Sequence, residues 1–206
     1  AARDQHVWRA FDEHLDPIEK ELQTADWDME AAEKGGYPHF MIKEINEQPE
    51  AIRTTIMPRI KEGLPFLEEC GITTETIKNF KNITIVACGT AMHAGMVGKY
   101  VIEDLARVPV NVDIASEFRY RNPIVGEGDL VIIISQSGET ADTRDGGRNA
   151  KKLGAVCFGM TNRPSSVIVR DTHVGLHLHA GIETAVASTK AFTAQSVCIA
   201  LLALET

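Results

Sequence analysis

The chain has 206 residues, of which 44% are hydrophobic and 24% charged, and its formal net charge is −8. This composition is that of a globular protein, and the length accommodates one full domain with an appendage. The acidic balance argues against nucleic-acid binding, because proteins that bind the phosphate backbone need a basic face. No run of about 18 apolar residues indicates a membrane span, and Asp4, Asp12 and Glu13 interrupt any signal-peptide core. We therefore expect a cytoplasmic protein with no nucleic-acid or membrane partner.

The four cysteines show neither a CxxC pair nor a zinc-binding spacing; they are Cys70, Cys88, Cys157 and Cys198. Reduced thiols in a cytoplasmic protein are the simplest interpretation of this pattern.

Residues 1–75 favour a mostly helical arm or linker, since they carry too few strand patterns for a second sheet domain. Apolar residues at helical spacing begin at Val7, and Pro17 should end that helix. Pro49 suits the first turn of a new helix. In chain order we expect a helix over 7–15, a short strand over 18–25, a short helix over 30–36 that stops at glycines, and helical structure within 43–57.

From about Phe80 onward, short apolar runs alternate with helical patterns, which is typical of a parallel α/β sheet. The run 130–135 is apolar at successive positions, as in a strand that helices cover on both faces. The predicted strands are 83–88, 110–115, 130–135, 155–160 and 173–178, and the predicted helices are 92–106, 140–152 and 189–204. We therefore predict that residues 76–206 form a three-layer αβα sandwich with a mainly parallel five-stranded sheet.

A dense group of polar side chains follows the third predicted strand and opens a helix. It comprises Ser135, Gln136, Ser137 and Thr140, with Gly138 permitting a tight turn. In open parallel sheets, ligands bind beyond the carboxyl ends of strands, where helix N-termini favour anions. The loop contains no lysine or arginine, which suits a phosphomonoester on a sugar better than a magnesium triphosphate. One serine could merely cap the helix, but three hydroxyls and an amide favour phosphate binding.

Two other loops follow predicted strands. Thr90 ends the first strand and is equally consistent with a helix N-cap and a ligand contact; its surroundings fit neither GxGxxG nor GxxxxGK[ST]. The loop 183–190 again brings hydroxyls to a helix start. Within it, Glu183 is a weak candidate for a general base and Lys190 for a chemical amine. Structural roles are the simpler interpretation of both residues.

His173, His177 and His179 alternate along the last predicted strand, so they should share one of its faces. Metal binding is one hypothesis. No acidic residue or cysteine stands beside them at strand spacing, which favours an edge or interface face. We expect no metal and no cofactor.

Four motifs occur in the order of a known family: Cys-Gly-Thr at 88–90, 115–121, 135–143 and Val-Ala-Ser-Thr-Lys-Ala-Phe at 186–192. Together they resemble the first sugar isomerase (SIS) domain of the glutamine–fructose-6-phosphate aminotransferases. Upstream, 33–37 and 39–49 resemble the interdomain segment of the same family. The resemblance covers 27–204, and residues 1–14 match no part of it.

The resemblance implies an SIS-type fold with a phosphosugar site and no cofactor. It assigns the phosphate to Ser135, Gln136, Ser137 and Thr140, and the sugar to Thr90, Val186 and Ser188. Ala91 stands where a serine is common in the family, which implies one hydroxyl contact fewer.

Family members make glucosamine 6-phosphate from fructose 6-phosphate with glutamine-derived ammonia, and the resemblance implies a homodimer. Their glutaminase domain has an N-terminal cysteine, and their second SIS domain carries the isomerising glutamate and the lysine that opens the ring. The sequence runs from Ala1 to Thr206, so we expect both of those domains to lie outside it. We expect this part alone to be inactive.

Two alternatives remain open. A sugar-phosphate-sensing regulator would carry a basic helix-turn-helix segment, which the acidic first 80 residues do not offer. A stand-alone isomerase, built from several copies of one domain, would not explain the interdomain segment. The flanking coding sequence would discriminate between these alternatives.

Overall fold

The computed structural model describes residues 10–11, 14, 16–18, 33–67, 70–71, 76–77 and 79–205. The chain divides into two compact units, Ala1–Glu33 and Lys34–Thr206. In the first unit, β1 (Ala10–Phe11) pairs antiparallel with β2 (Pro17–Ile18). The helix expected over 7–15 is therefore wrong at Ala10–Phe11. The apolar spacing that suggested a helix there also fits an extended pair, and Ala10 and Phe11 pair with Ile18 and Pro17 instead. Most of the remaining residues of that helix and of the strand expected over 18–25 lie outside the described part.

The second unit begins with a turn over Glu33–Gly36, where the short helix was expected; residues 30–32 of that helix are not described. Two helices follow, α1 (Phe40–Asn46) and α2 (Gln48–Ile56), and Pro49 lies in the first turn of α2 as predicted. The mostly helical character expected for this region is confirmed. A 3-10 turn (Met57–Arg59) leads into the hairpin of β3 (Ile60–Lys61) and β4 (Leu64–Pro65).

The main sheet has five parallel strands in the order β6-β5-β7-β8-β9. Each strand agrees with its predicted range to within one residue at either end. The bounds are β5 (Asn82–Ala87), β6 (Val110–Ile114), β7 (Asp129–Ser135), β8 (Val156–Thr161) and β9 (Val174–His177). All but the first residue of β7 are buried or nearly so, because helices cover both of its faces.

Helices cover both faces of the sheet, as the sandwich architecture requires. They are α3 (Gly89–Leu105), α4 (Ala115–Tyr120), α5 (Ala141–Lys152), α6 (Val167–Asp171) and α7 (Lys190–Leu204). The larger core joins α3 and α7 to one face, where Ile85 and Ile132 point. The smaller core joins α4, α5 and α6 to the other face, where Val86 and Ile133 point. The predicted three-layer αβα sandwich is confirmed.

Two glycines let α5 approach the sheet closely. A Cβ at Gly147 would lie 3.3 Å from Ile133 Cγ1 of β7, and one at Gly146 would lie 3.4 Å from Val86 Cγ1 of β5. Each glycine weakens a helix by about 1 kcal/mol relative to alanine, and this close packing offsets the cost. No helix in the described residues is long and apolar enough to cross a membrane.

Candidate functional site

The strand order creates a crevice at the carboxyl ends of β5 and β7. These strands are neighbours, but the chain leaves β5 for β6 on one side and leaves β7 for β8 on the other. Loops diverge at such a switch point, and ligands of open α/β sheets bind there. A cleft of about 390 Å³ lies at this place. It is lined by all the residues that the resemblance assigned to a ligand, namely Thr90, Ser135, Gln136, Ser137, Thr140, Val186 and Ser188.

One side of the cleft, the first wall, is formed by residues 135–140 and is held both by its own bonds and by the segment 162–168. The N–H groups of Asn162 and Ile168 donate to the carbonyls of Gln136 and Gly138 at 3.0 and 3.2 Å. The Gly138 N–H donates to Ser135 Oγ at 3.0 Å, and this oxygen lies 3.1 Å from Thr140 Oγ1. The Glu139 N–H donates to Ser137 Oγ at 3.2 Å. Gly138 has a φ of +68°, and a Cβ there would lie 2.1 Å from Ser166 Oγ. Only glycine fits this turn.

Helix-capping roles do not account for the hydroxyls. Thr140 is the N-cap residue of α5, yet its side chain makes no capping hydrogen bond within the described structure. Thr90 follows the helix start, because the N-cap of α3 is Cys88 and the helix begins at Gly89. The first backbone N–H groups of a helix have no partner inside that helix. At α5 they lie next to the hydroxyls of the first wall.

The opposite side, the second wall, is formed by residues 183–188. Glu183 Oε1 accepts from the N–H groups of Thr189 at 2.8 Å and Ala191 at 3.3 Å, and its Oε2 accepts from Ser188 Oγ at 2.9 Å. The Glu183 carboxylate thus accepts hydrogen bonds from backbone N–H groups at the start of α7. Val186 is fully exposed at the tip of the wall. A catalytic role for Glu183 stays a prediction, and its oxygens already have these donors.

Lys190 lies outside the lining of the cleft. It is 4% exposed, and its Nζ is 2.7 Å from Glu47 Oε2 in the segment before the sheet. Its suggested chemical role also stays a prediction. Sequence reasoning overlooked Glu44, which is buried and accepts hydrogen bonds from Thr184 and Ala185 in the second wall. Glu44 lies in the segment 39–49 that resembles the interdomain segment, but no local pattern shows its role, because its partners are 140 and 141 positions away.

The cleft is uncharged on the side that would meet an anion. Among the described residues that line it there is no lysine, arginine or histidine. Nearby, Arg119 forms ion pairs with Asp142 and Asp145, both at 2.9 Å. The hydrogen bond to Asp142 raises the pKa of Arg119. The hydrogen bond from Arg144, followed by the charge of Arg119, lowers the pKa of Asp145. The guanidinium of Arg119 is therefore already paired with these two carboxylates, and the ion pairs connect α4 to α5.

Strand β9 ends at His177, and His179 lies beyond it with a left-handed φ of +57°, so strand alternation does not place this residue. The rings of His177 and His179 nevertheless lie side by side, with centroids 4.2 Å apart. Both line one cleft together with His173, so the three side chains share one side although His179 is outside the strand. His173 Nδ1 accepts from the Cys157 N–H at 3.0 Å, and His177 Nε2 lies 3.0 Å from the Asn162 carbonyl oxygen. The described residues contain no group of three or more His, Cys, Asp or Glu suited to a metal ion.

Residues 76–205 match the sequence profile of the SIS domain. The chain belongs to the SIS domain family. Glutamine–fructose-6-phosphate aminotransferase (isomerizing) of Clostridium acetobutylicum is 56% identical over 188 residues, which are 91% of this chain and 31% of that protein. The corresponding protein of Thermus thermophilus is 46% identical over 187 residues, again 91% of this chain and 31% of the relative.

Among solved structures, the C-terminal domain of glucosamine-fructose-6-phosphate aminotransferase from Francisella tularensis superimposes with a TM-score of 0.77. It is 46% identical, and the match covers 83% of this chain and 48% of that one. The resemblance indicated by the motifs is thus confirmed. This SIS domain chain spans about a third of the length of the curated relatives named above.

Proposed function

We propose that this chain binds a phosphosugar, fructose 6-phosphate or glucosamine 6-phosphate, as the first SIS domain of a glutamine–fructose-6-phosphate aminotransferase. The observation that carries the proposal is the convergence of three hydroxyls and one amide on the first wall, at the switch point of the sheet. The identity of 56% to a relative of that name supports the parent activity.

The phosphate belongs at the first wall. Ser135, Gln136, Ser137 and Thr140 supply neutral donors there, and the start of α5 adds backbone N–H groups. Such donors bind an anion without a cation. The sugar would then extend toward Thr90, Val186 and Ser188. A cleft of about 390 Å³ lies within the range of small-molecule sites, roughly 300–1,000 Å³.

The main acid and base groups of the reaction belong to a part of the enzyme outside this chain. Amination and isomerisation need ammonia, an open-chain sugar and a base that moves a proton between C2 and C1. Glu183 caps α7, and Lys190 is buried against Glu47. The proposal includes a glutaminase domain and a second SIS domain in the same polypeptide, and a cytoplasmic homodimer. It also divides this chain into a linker (1–75) and the SIS domain (76–206).

Calorimetric titration tests the phosphate assignment. Ser137→Ala and Thr140→Ala should each weaken the binding of fructose 6-phosphate by about 1.5–3 kcal/mol, the scale of a hydrogen bond to a charged group. The weak binding of fructose should hardly change. Ser165→Ala is a matched control, because Ser165 is exposed and does not line the cleft. If these variants lost equal amounts of binding free energy for fructose 6-phosphate and for fructose, a contact between the substituted hydroxyls and the phosphate would be excluded.

An activity assay tests the division of labour. The chain, supplied with fructose 6-phosphate and an ammonium salt, should form no glucosamine 6-phosphate, because positioning without acid and base groups leaves most of the barrier in place. A full-length aminotransferase is the positive control. Turnover by this chain at a rate near that control would place the catalytic base among its own residues.

A further inference from the structure

Part of the second wall is held by a side chain from far upstream. Glu44, on α1, is 2% exposed. Its Oε1 accepts from the N–H groups of Thr184 at 2.6 Å and Ala185 at 3.1 Å, and its Oε2 lies 3.3 Å from the Ala185 nitrogen. A buried carboxylate is costly without such donors, and hydrogen bonds to an ionised group are about twice as strong as neutral ones.

These bonds act directly on the lining of the cleft. Ala185 itself lines it, and Val186 and Ser188 follow within three residues. The loop lies between the end of β9 at His177 and the start of α7 at Lys190, so no ladder or helix holds Thr184 and Ala185. Glu183 fixes the C-terminal half of the wall through Ser188 and Thr189. Glu44 fixes the other half.

The α1–α2 segment (Phe40–Ile56) is attached on both sides of this loop by other residues. Before the loop, Thr55 Oγ1 donates to the Leu178 carbonyl at 2.6 Å. After it, Lys190 donates to Glu47 at 2.7 Å, and Thr193 Oγ1 donates to Gln48 Oε1 at 2.6 Å. The segment should therefore stay docked when the Glu44 carboxylate is removed. The loop alone would lose its support.

We propose that Glu44 is a positioning residue for the sugar-facing part of the substrate site, so that the segment preceding the SIS domain shapes that site from outside it. This inference rests on the proposed function, because it assigns the second wall to the sugar. Glu44 contacts the wall's backbone and acts on a bound sugar only through Ala185, Val186 and Ser188.

The test compares Glu44→Ala, Glu44→Gln and the matched control Glu50→Gln in the full chain. Glu50 is an exposed carboxylate on α2 that pairs with Arg53. Hydrogen exchange at the Thr184 and Ala185 amides should accelerate at least about tenfold in Glu44→Ala, because each amide loses its acceptor. Fructose 6-phosphate affinity should fall about tenfold, and inorganic phosphate affinity should stay within about twofold, since phosphate meets only the first wall.

Glu44→Gln keeps one acceptor oxygen and should show a smaller change in both measurements. Circular dichroism establishes that each variant is folded, and if Glu44→Ala is not, Glu44→Gln carries the test. The positioning role would be overturned by any of three outcomes. Hydrogen exchange at the two amides could be unchanged, the affinity for fructose 6-phosphate could be unchanged, or the affinities for fructose 6-phosphate and for inorganic phosphate could fall equally. If the parent chain itself fails to bind fructose 6-phosphate, the proposed function fails and this inference with it. A parent that binds and variants that bind equally well would refute this inference alone.

Discussion

The two walls of the cleft obtain their shape from different parts of the chain. In the first wall, the hydroxyl oxygens of Ser135 and Ser137 accept hydrogen bonds from N–H groups two or three residues away, and the nearby segment 162–168 donates to the backbone of the wall. In the second wall, Thr184 and Ala185 depend on Glu44, which lies 140 or more positions upstream. A wall whose hydroxyls are bonded within one loop can be recognised in a short motif. A wall built from distant bonds is coupled to whatever moves the segment that supports it.

The largest effect is expected where the first wall packs against Ser166. Gly138→Ala should lower the free energy of unfolding by about 3–5 kcal/mol, because it combines a strained φ with a severe overlap. Gly36→Ala is the control: its φ of +83° is also left-handed, but nothing lies within 4 Å of the added Cβ. It should cost only about 1–2 kcal/mol. Urea unfolding measures both costs, and equal costs would show that Gly138 does not pack closely against Ser166.

The next effect concerns the attachment of the α1–α2 segment beside the second wall. Glu47→Gln removes the negative charge that the buried Lys190 ammonium meets at 2.7 Å and the Lys43 ammonium at 3.6 Å. Removing one member of a buried pair costs about 3–5 kcal/mol. Because Glu47 is about a third exposed, we expect roughly 2–3 kcal/mol in urea unfolding. Glu50→Gln, which breaks only the exposed pair with Arg53, should cost less than about 1 kcal/mol. Equal losses of stability in the two variants would mean that the ion pairs of Glu47 do not hold the segment.

The smallest effect concerns the smaller core beneath the first wall. Burial raises the pKa of the Cys157 thiol from 9.0 to about 11. The folded state thus holds this proton more tightly than the unfolded state does. Its contribution to stability is complete below pH 9 and is lost as the pH rises toward 11, about 2 kcal/mol over that interval.

Urea unfolding of the parent chain and of Cys157→Ala between pH 8 and 11 checks this prediction. The difference in free energy of unfolding between the two chains isolates the thiol, because the contributions of all other titrating groups are the same in both and cancel. The Cys157 Sγ lies 3.5 Å from the Gly147 carbonyl of α5, and hydrogen exchange should therefore increase in α5 before it increases in the second wall. Parallel stability curves for the two chains would show that the thiol is not desolvated.

The same contrast between local and distant bonds explains how much of the fold the sequence revealed. The five strands and the three long helices follow from apolar periodicity, which is a local property. The short helices α4 and α6 were not predicted, because six and five residues display too little periodicity. The strand β1, in which Ala10 and Phe11 pair with Ile18 and Pro17 of β2, was not predicted, because the apolar spacing around these residues also fits a helix.

The candidate site divides in the same way. The hydroxyls of the first wall could be found from sequence because they crowd into one loop after a buried strand. Glu183 and Lys190 were noticed for their chemistry, but only the structure shows the start of α7 and Glu47 as their partners. Glu44 lies in the segment 39–49 that carried part of the resemblance, but nothing in that segment distinguishes it from an exposed glutamate on a helix. Its burial is visible only after the chain has folded.

The lack of a cationic side chain among the described lining residues of the cleft also bears on how quickly a ligand arrives. A phosphosugar dianion would approach a chain of net charge −8, with no cation at the entrance among the described lining residues. Long-range forces would then slow the encounter instead of steering it. Salt, which screens such forces over about 8–10 Å near physiological ionic strength, would increase the association rate constant. Once bound, the phosphate is held by short-range hydrogen bonds, so the dissociation rate constant would respond far less to salt.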